Sequence, residues 1–247
     1  MTVMGRAPRE QQLILLEVAR VDSAIARLKR DDVKHPLREK LGEIANAVAS
    51  NARDLSSIEA QISQAQLRGD ALNAESSQLA KDIQRKDDIL QAGTGMDSRE
   101  LLTLQREIAG QRAKLDVLSE EEFTILEELE ELESQRAAAG AHRDELNSAL
   151  IETRGELEDA VADIQAEITK LTAERDALFG SVNEFLQRSY QRASAAGGYA
   201  VLGLHPNGTS TGGVELAPEE VRQIKKAEPD AVWISDDYDC IVVLLES

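Results

Sequence analysis

The sequence predicts a mainly α fold, in which a long antiparallel coiled-coil hairpin is followed by a small C-terminal β-rich module. Three observations lead to this prediction. Aromatic residues make up only 3% of the 247 residues and charged residues 30%, a composition typical of long helices rather than of a thick globular core. Apolar residues recur three and four positions apart through most of the chain. Residues 197–247 instead contain short β-branched runs that are separated by turn residues.

The first helical segment begins near Pro8, a residue that suits the first turn of a helix. Apolar residues then recur at helical spacing until the stretch DDVKHP at residues 31–36 interrupts them. Pro36 is expected to break or kink the helix at this point. A heptad pattern resumes at Leu37 and continues to Leu90, which predicts a long coiled-coil helix.

The heptad pattern stops at residues 91–98, which we interpret as the tip of a hairpin. Gly93 can adopt the left-handed backbone conformation that ends a helix. Asp97 and Glu100 form the pattern of a capping box, with Asp in place of the usual Ser or Thr. A second heptad series follows, and we expect it to continue as one helix until about residues 192–196.

The predicted hairpin covers residues 8–196, because two heptad helices joined by a short loop bury their apolar stripes on each other in antiparallel fashion. Folding the chain about Thr94 gives a register for this pairing. The facing residues are then predicted to be Asn51 with Arg136, Ser76 with Gln111, and Phe123 with Ala65 and Gly69. A buried polar layer of this kind can fix the register of a coiled coil.

Residues 197–247 are predicted to form the β-rich module. Four apolar runs are typical of short strands, namely YAVLGL, GGVELA, AVWIS and CIVVLL. The stretch PEEVRQIKKAEP predicts a short helix that begins at Pro218 and ends before Pro229. The expected core consists of apolar residues that pack near Phe185 and Tyr190 on the hairpin: Val201, Leu204, Val232, Trp233, Ile234, Ile241 and Val243.

Two segments carry a resemblance to a known family. They are SRELLTLQREI, just after the tip, and VELAPEEVRQIKKAEPDAV in the module. With them the chain resembles bacterial proteins that join a coiled-coil hairpin to a C-terminal C4-type zinc ribbon. The resemblance implies that the four zinc-ligand positions are occupied here by Thr209, Gly212, Ser235 and Tyr238. None of these residues supplies the thiolate or imidazole ligand of a structural zinc site, so no metal and no cofactor is expected.

The stretch GTSTGGVELAPEE, residues 208–220, is compatible with three kinds of structure: a zinc knuckle that has lost its metal, a turn of an unrelated β-hairpin module, and a phosphate-binding loop. No Gly-Lys-Ser or Gly-Lys-Thr follows it, and the surroundings are acidic, which disfavours the phosphate loop. A zinc knuckle that has kept its turn and lost its metal agrees best with the resemblance.

Charge and side-chain chemistry narrow the function. The net charge of −18 disfavours nucleic acid, because phosphate repels an acidic surface. The single cysteine, Cys240, excludes a disulfide within the chain. No nucleophile is paired with a base in the sequence, so no enzymatic activity is expected. Neither a signal peptide nor a stretch long enough to span a bilayer is recognisable, which predicts a cytoplasmic protein that does not bind membranes.

The function predicted from these observations is that of a protein-interaction adaptor, scaffold or chaperone-like factor that presents the tip and the C-terminal module to protein partners. At the tip, the expected contact residues are Asp87, Asp88, Met96 and Asp97, because packing of the two helices against each other does not need these side chains. The glutamate-rich residues 120–133 are either a solvated helix face or a docking strip for a basic partner. The resemblance implies partners in the transcription or secretion machinery. It also implies the alternative, nucleic-acid binding through the ribbon-like module.

Overall fold

The computed structural model describes residues 2–93, 95 and 97–245, with residues 2–4 described through their backbone. The predicted class is confirmed: the protein is mainly helical, with a long helical hairpin and a small sheet. The elements, in chain order, are β1 (Thr2–Arg6), α1 (Arg9–Val33), α2 (Pro36–Ala92), α3 (Ser98–Gly180), α4 (Glu184–Ala195), β2 (Val201–Leu204), α5 (Pro218–Lys226), β3 (Ala231–Ile234) and β4 (Ile241–Leu244).

The chain divides into two compact units. The first, here called the hairpin unit, is Glu39–Gly155 and contains most of α2 and the first part of α3. The second, here called the sheet unit, consists of the residues up to Arg38 and those from Glu156 onward. None of the described helices has an apolar stretch of the length that crossing a membrane requires.

In the hairpin unit, the side chains that α2 buries all lie on the predicted heptad stripe. They are Asn51, Ile62, Ala65 and Ile83. Ile62 and Ala65 form a small core with Leu132 of α3. The two α2 residues are three positions apart, which is the spacing of successive core positions in a heptad. The heptad pattern therefore predicts correctly which face of α2 is buried.

The predicted register of the hairpin is wrong by several residues. Gly69 faces Ile125, whose Cγ2 lies 3.5 Å from the point where a Cβ of residue 69 would stand. Phe123, which the prediction places opposite Gly69, is 61% exposed instead. The loop midpoint sets only an approximate register, because side chains that interlock along the whole seam decide the final one.

The polar positions of the seam are shifted in the same direction along α3. The Nδ2 of Asn51 donates to the carbonyl oxygen of Ala139 at 3.2 Å, one turn beyond the predicted Arg136. The hydroxyl of Ser76 donates to the Glu122 carboxylate at 2.5 Å, rather than facing Gln111. The polar groups thus do meet across the hairpin, but with other partners.

Helix α1 ends at Val33 and α2 begins at Pro36. The connection is fixed by Arg38, whose Nη2 lies 2.7 Å from the Asp32 carboxylate and whose Nε donates to the Asp32 carbonyl oxygen at 2.9 Å. A side chain just inside α2 therefore holds the last turn of α1.

The second helix was predicted to continue to about residues 192–196, but the structure divides it into two helices. Helix α3 ends at Gly180, and α4 begins after Asn183, whose side chain accepts a hydrogen bond from the Leu186 N–H at 2.9 Å. Gln187 then donates to the carbonyl oxygens of Phe179 and Val182, at 2.8 Å each. The end of α3 is thereby capped from α4, so the turn leaves few main-chain groups without partners.

The sheet has the strand order β1-β3-β4-β2, in which β1 and β4 pair antiparallel with β3, and β2 pairs parallel with β4. Strand β1 was not predicted, and the strand predicted at GGVELA is not formed. Just before this stretch, Ser210 forms an isolated bridge with Leu204. The other three predicted strands and the helix at Pro218 are present.

Successive residues of each strand point to opposite faces of the sheet, and both faces are covered. On one face, Val201, Val232, Ile241 and Val243 pack with residues of α1, α3 and α4, including Leu15, Phe179 and Tyr190. On the other face, Leu202, Leu204 and Val242 pack with Ile224 of α5 and with Trp233. The predicted core residues are thus confirmed as core residues, although Leu204 and Trp233 belong to the second face.

Candidate functional site

The hairpin tip is closed by local hydrogen bonds that the sequence predicted. Gly93 has a φ of 56°, the left-handed conformation that ends α2. The Asp97 carboxylate accepts from the N–H groups of Arg99 and Glu100, at 2.8 and 2.9 Å, and the Glu100 carboxylate accepts from the Asp97 N–H at 2.8 Å. The capping box at the start of α3 is therefore confirmed.

Two of the acids predicted as contact residues also stabilise the hairpin itself. Asp87 forms an ion pair with Arg112 of α3 at 2.6 Å, and its side chain is 18% exposed. Asp97 is the cap of α3. Asp88 is exposed, and its hydrogen bond with a described residue comes from Gln84 of the same helix at 2.8 Å. Asp87 and Asp97 therefore have partners within the hairpin, Met96 lies outside the described residues, and a contact role for these four residues stays a prediction.

Apolar side chains are also exposed near the tip, which the sequence reasoning did not single out. Ile89, in the last turn of α2, is 44% exposed, and Leu102, in the second turn of α3, is 54% exposed. A separate open cleft of about 370 Å³ lies along the first turns of α3 and is lined by Arg99, Glu100, Thr103, Leu104 and Glu107. The tip thus combines exposed apolar and acidic groups.

In the module, the first two zinc-ligand positions implied by the resemblance are used in the fold of the loop. The Thr209 hydroxyl donates to the Asn207 side chain at 2.8 Å. Gly212 lies against the Leu202 side chain and the ring of Tyr199, and its carbonyl oxygen accepts from the Tyr199 hydroxyl at 3.0 Å. A Cβ at position 212 would stand only 2.6 Å from Leu202 Cδ2, so even a cysteine would not fit without rearrangement.

The other two positions contact different parts of the module. Ser235 is fully buried, and its hydroxyl donates to the Glu220 carboxylate at 3.4 Å. Tyr238 donates from its hydroxyl to the carbonyl oxygen of Glu215 at 3.2 Å. Each of the four side chains or carbonyls thus has its own local partner. Across the described part of the chain, no group of three or more His, Cys, Asp or Glu residues could hold a metal ion.

Glu220 was predicted only as part of the helix start, and the structure gives it a further role. It is 8% exposed, and its carboxylate accepts from the Ser235 hydroxyl and from the Asp236 N–H, the latter at 3.3 Å. It ties the first turn of α5 to the end of β3. The sequence signal for a structural role of Glu220 is its position in the first turn of α5, where the helix dipole favours an acidic side chain.

Cys240 is fully buried beside this group. Burial raises the pKa of its thiol to about 12, and the negative charges of Glu220 and Asp239 act in the same direction. A thiol of this kind stays protonated at neutral pH, and the protonated form is a poor nucleophile.

A second cavity, of about 430 Å³, lies in the sheet unit between α1, α5 and the sheet. Its polar wall residues hold the main chain: Gln12 donates to the carbonyl oxygens of Ala7 and Pro229, and Arg9 donates to that of Leu244. The Trp233 Nε1, also in this wall, is buried without a hydrogen-bond partner among the described residues. Glu228, which also lines the cavity, pairs with Arg6 at 2.7 Å.

Comparison with known proteins is consistent with this fold. A family model described as "CT398-like coiled coil hairpin domain" matches residues 18–198. The protein Rv2229c of Mycobacterium tuberculosis is 25% identical over 250 residues, which cover 96% of each chain. A solved structure from Mycobacterium smegmatis has a TM-score of 0.82 at 19% identity, over 98% of this chain and 100% of that one. CT398 from Chlamydia trachomatis has a TM-score of 0.59 at 16% identity, over 96% and 98% of the two chains.

Proposed function

The chain belongs to the CT398-like coiled coil hairpin family, and we propose that it is a non-enzymatic adaptor, scaffold or chaperone-like factor. It binds protein partners through the hairpin tip and the C-terminal module, and the resemblance seen in the sequence points to partners of the transcription or secretion machinery. The buried, protonated Cys240 and the structural use of the polar side chains around the larger cavity support a role without catalysis.

The observation that carries this proposal is the exposure of Ile89 and Leu102, at 44% and 54%, near the tip, together with that of Asp88, which directly precedes Ile89 in the chain. Exposed aliphatic side chains can be buried by a partner, and each fully buried one contributes about 1.5–3 kcal/mol to binding. A neighbouring carboxylate then orients the partner and favours a basic or neutral counterpart over an acidic one. The expected contact set is therefore Ile89 and Leu102 together with Asp88, while Asp87 and Asp97 support the tip from within.

A variant of the tip tests the proposal. Asp88→Ser, Ile89→Ser and Leu102→Ser are combined, and Asp87 and Asp97 are kept because they hold the hairpin. Helicity and melting temperature should stay close to those of the wild type, since exposed groups contribute little to stability. Recovery of the partners from nuclease-treated native lysate should fall. Unchanged recovery of every partner would show that the tip is only a turn.

The module is proposed to be a zinc-ribbon-like fold that has replaced its metal by side-chain contacts. Tyr199 and Tyr238 donate to loop carbonyl oxygens, and Glu220 joins α5 to the end of β3. Small domains otherwise often need such a staple from a metal. Elemental analysis of untagged protein should find well under one zinc ion per chain, whereas one tightly held zinc ion per chain would contradict this view.

Nucleic-acid binding through the module remains the alternative that the resemblance implies. The net charge of −18 opposes it, because phosphate contacts require a local excess of Lys and Arg. A salt titration separates the two proposals. Nucleic-acid affinity would fall steeply with salt concentration, whereas binding through Ile89 and Leu102 should change little.

A further inference from the structure

Phe123 and Leu126 form an exposed apolar pair on α3. The two side chains are 61% and 59% exposed and lie one helical turn apart on the same face. The chain contains only three phenylalanines, and the other two, Phe179 and Phe185, lie in the core of the sheet unit. An aromatic ring in water is costly, and two adjacent large apolar side chains present a patch that neither helix of the hairpin covers.

The pair is surrounded by carboxylates with no cation beside them. Glu120 lies three residues before Phe123, and Glu127 lies four residues after it. Glu130 lies four residues after Leu126. All three carboxylates are therefore neighbours of the apolar pair on the helix surface. Among the described residues, no Lys or Arg forms an ion pair with any of them.

The acids nearer the seam behave differently. Glu122 accepts from the Ser76 hydroxyl, and Glu128 forms a bidentate contact with Arg68 at 2.7 and 2.8 Å. Within the glutamate-rich segment, Glu122 and Glu128 therefore join α2 to α3, whereas Glu120, Glu127 and Glu130 frame the apolar pair. The second group gains no stability from one another, since like charges at this spacing repel.

We propose that Phe123 and Leu126, framed by Glu120, Glu127 and Glu130, are a docking surface for a basic amphipathic helix of a partner protein. Such a helix carries apolar side chains three and four positions apart, which cover the pair, and flanking Lys or Arg residues, which neutralise the frame. This surface is distinct from the tip and does not depend on it.

Charge also excludes the other occupants. A second copy of this chain on the same surface would bring glutamates against glutamates around the apolar centre, which costs more than it gains. Nucleic acid would place phosphate against the same carboxylates. A basic protein segment is the occupant that complements both the apolar and the acidic groups.

The probe is a fluorescein-labelled peptide of lysines and leucines, with leucines three and four positions apart, and its binding to the full chain is followed by fluorescence anisotropy. All measurements use the tip variant with Asp88→Ser, Ile89→Ser and Leu102→Ser, so that binding at the tip cannot mask the result. Phe123→Ser with Leu126→Ser should raise the Kd at least about 10-fold.

Leu67→Ser is the matched control. Leu67 is 71% exposed on α2, but its helical neighbours at three and four residues are Ser63, Gln64, Asp70 and Ala71, so it has neither an apolar partner nor an acidic frame. Its replacement should change the Kd less than about 2-fold. Glu127→Gln with Glu130→Gln should weaken binding at low salt, and this difference should disappear at high salt.

Equal affinity of the Phe123→Ser, Leu126→Ser variant and the Leu67→Ser variant would overturn the proposal. It would also be overturned if sedimentation showed that the chain associates with itself through Phe123, since the surface would then belong to a second copy. Because the tip is already altered in every sample, these outcomes leave the proposed role of the tip unaffected.

Discussion

Replacing Gly212 by alanine tests how the module is held together where the resemblance places a metal ligand. The added Cβ would stand 2.6 Å from Leu202 Cδ2 and 3.1 Å from two ring carbons of Tyr199. The backbone of Gly212 is outside the left-handed region, so the penalty is steric rather than conformational. Tyr199 is 46% exposed and can move, but Leu202 is 1% exposed and is packed within the second face of the sheet. Overpacking of this kind destabilises a protein by about 1–3 kcal/mol.

The assay uses Trp233, the single tryptophan, which packs in the same apolar cluster as Leu202. Its fluorescence reports denaturant unfolding of the sheet unit, and the midpoint should fall for Gly212→Ala at an unchanged slope. Gly198→Ala is the control, because its nearest neighbour would be the Tyr238 carbonyl oxygen at 4.0 Å. If both variants unfold at the wild-type midpoint, Leu202 is free to move, and the account of a closely packed loop in place of a metal is refuted.

Three further predictions follow from single contacts. Tyr190→Phe removes the hydroxyl that donates to the Asp22 carboxylate at 2.7 Å and should lower the free energy of unfolding by about 1–2 kcal/mol, measured by denaturant titration. Asp97→Ala should cost about 1 kcal/mol of stability through loss of the α3 cap, whereas Asp97→Ser should cost less, as thermal melting followed by circular dichroism would show. Cys240 should react with a thiol reagent at about pH 8 far more slowly in the folded than in the denatured chain. Because burial raises its pKa to about 12, its contribution to stability is complete below the thiol pKa of the unfolded chain, about 8.5, and is lost as the pH rises toward 12.

The features that the sequence predicts well are those determined by near neighbours. The heptad stripe of α2, the left-handed Gly93 and the Asp97–Glu100 capping box each depend on residues within a few positions of one another. The alternation of Ile241, Val242 and Val243 between the two faces of the sheet follows from the same local rule.

The features that were missed depend on distant partners. The register of the hairpin is set by side chains that interlock across the seam, so Ile125 rather than Phe123 faces Gly69. Strand β1 pairs with β3, with Thr2 opposite Ile234, and so short a strand gives no local signal that outweighs a neighbouring helix.

The end of α3 was missed although it has a local signal, because Gly180 followed by Asn183 is a typical pattern for the end of one helix and the start of the next.

The candidate site residues also depend on partners that are distant in the sequence. The sequence does not show that Asp87 has a partner, because Arg112, which lies 2.6 Å from it, is on the other helix. Conversely, the exposure of Ile89, Leu102 and Phe123 emerges only once the seam is known, because an apolar residue in a heptad helix is otherwise expected to be buried.

The pairing of β1 with β3 has a consequence for how the protein is made. Strand β1 leaves the ribosome long before Ala231–Ile234 exists, so the sheet cannot close until nearly the whole hairpin has been synthesised. A loop of this length carries a large closure entropy, and contacts so distant in sequence slow folding. The ion pair between Asp22 and Arg175 and the hydrogen bond from Tyr190 to Asp22 join α1 to α3 and α4. Pairing of these helices before the sheet closes would shorten the search of β1 for its partner strand, and until the sheet closes the unpaired edge of β1 is open to other strands.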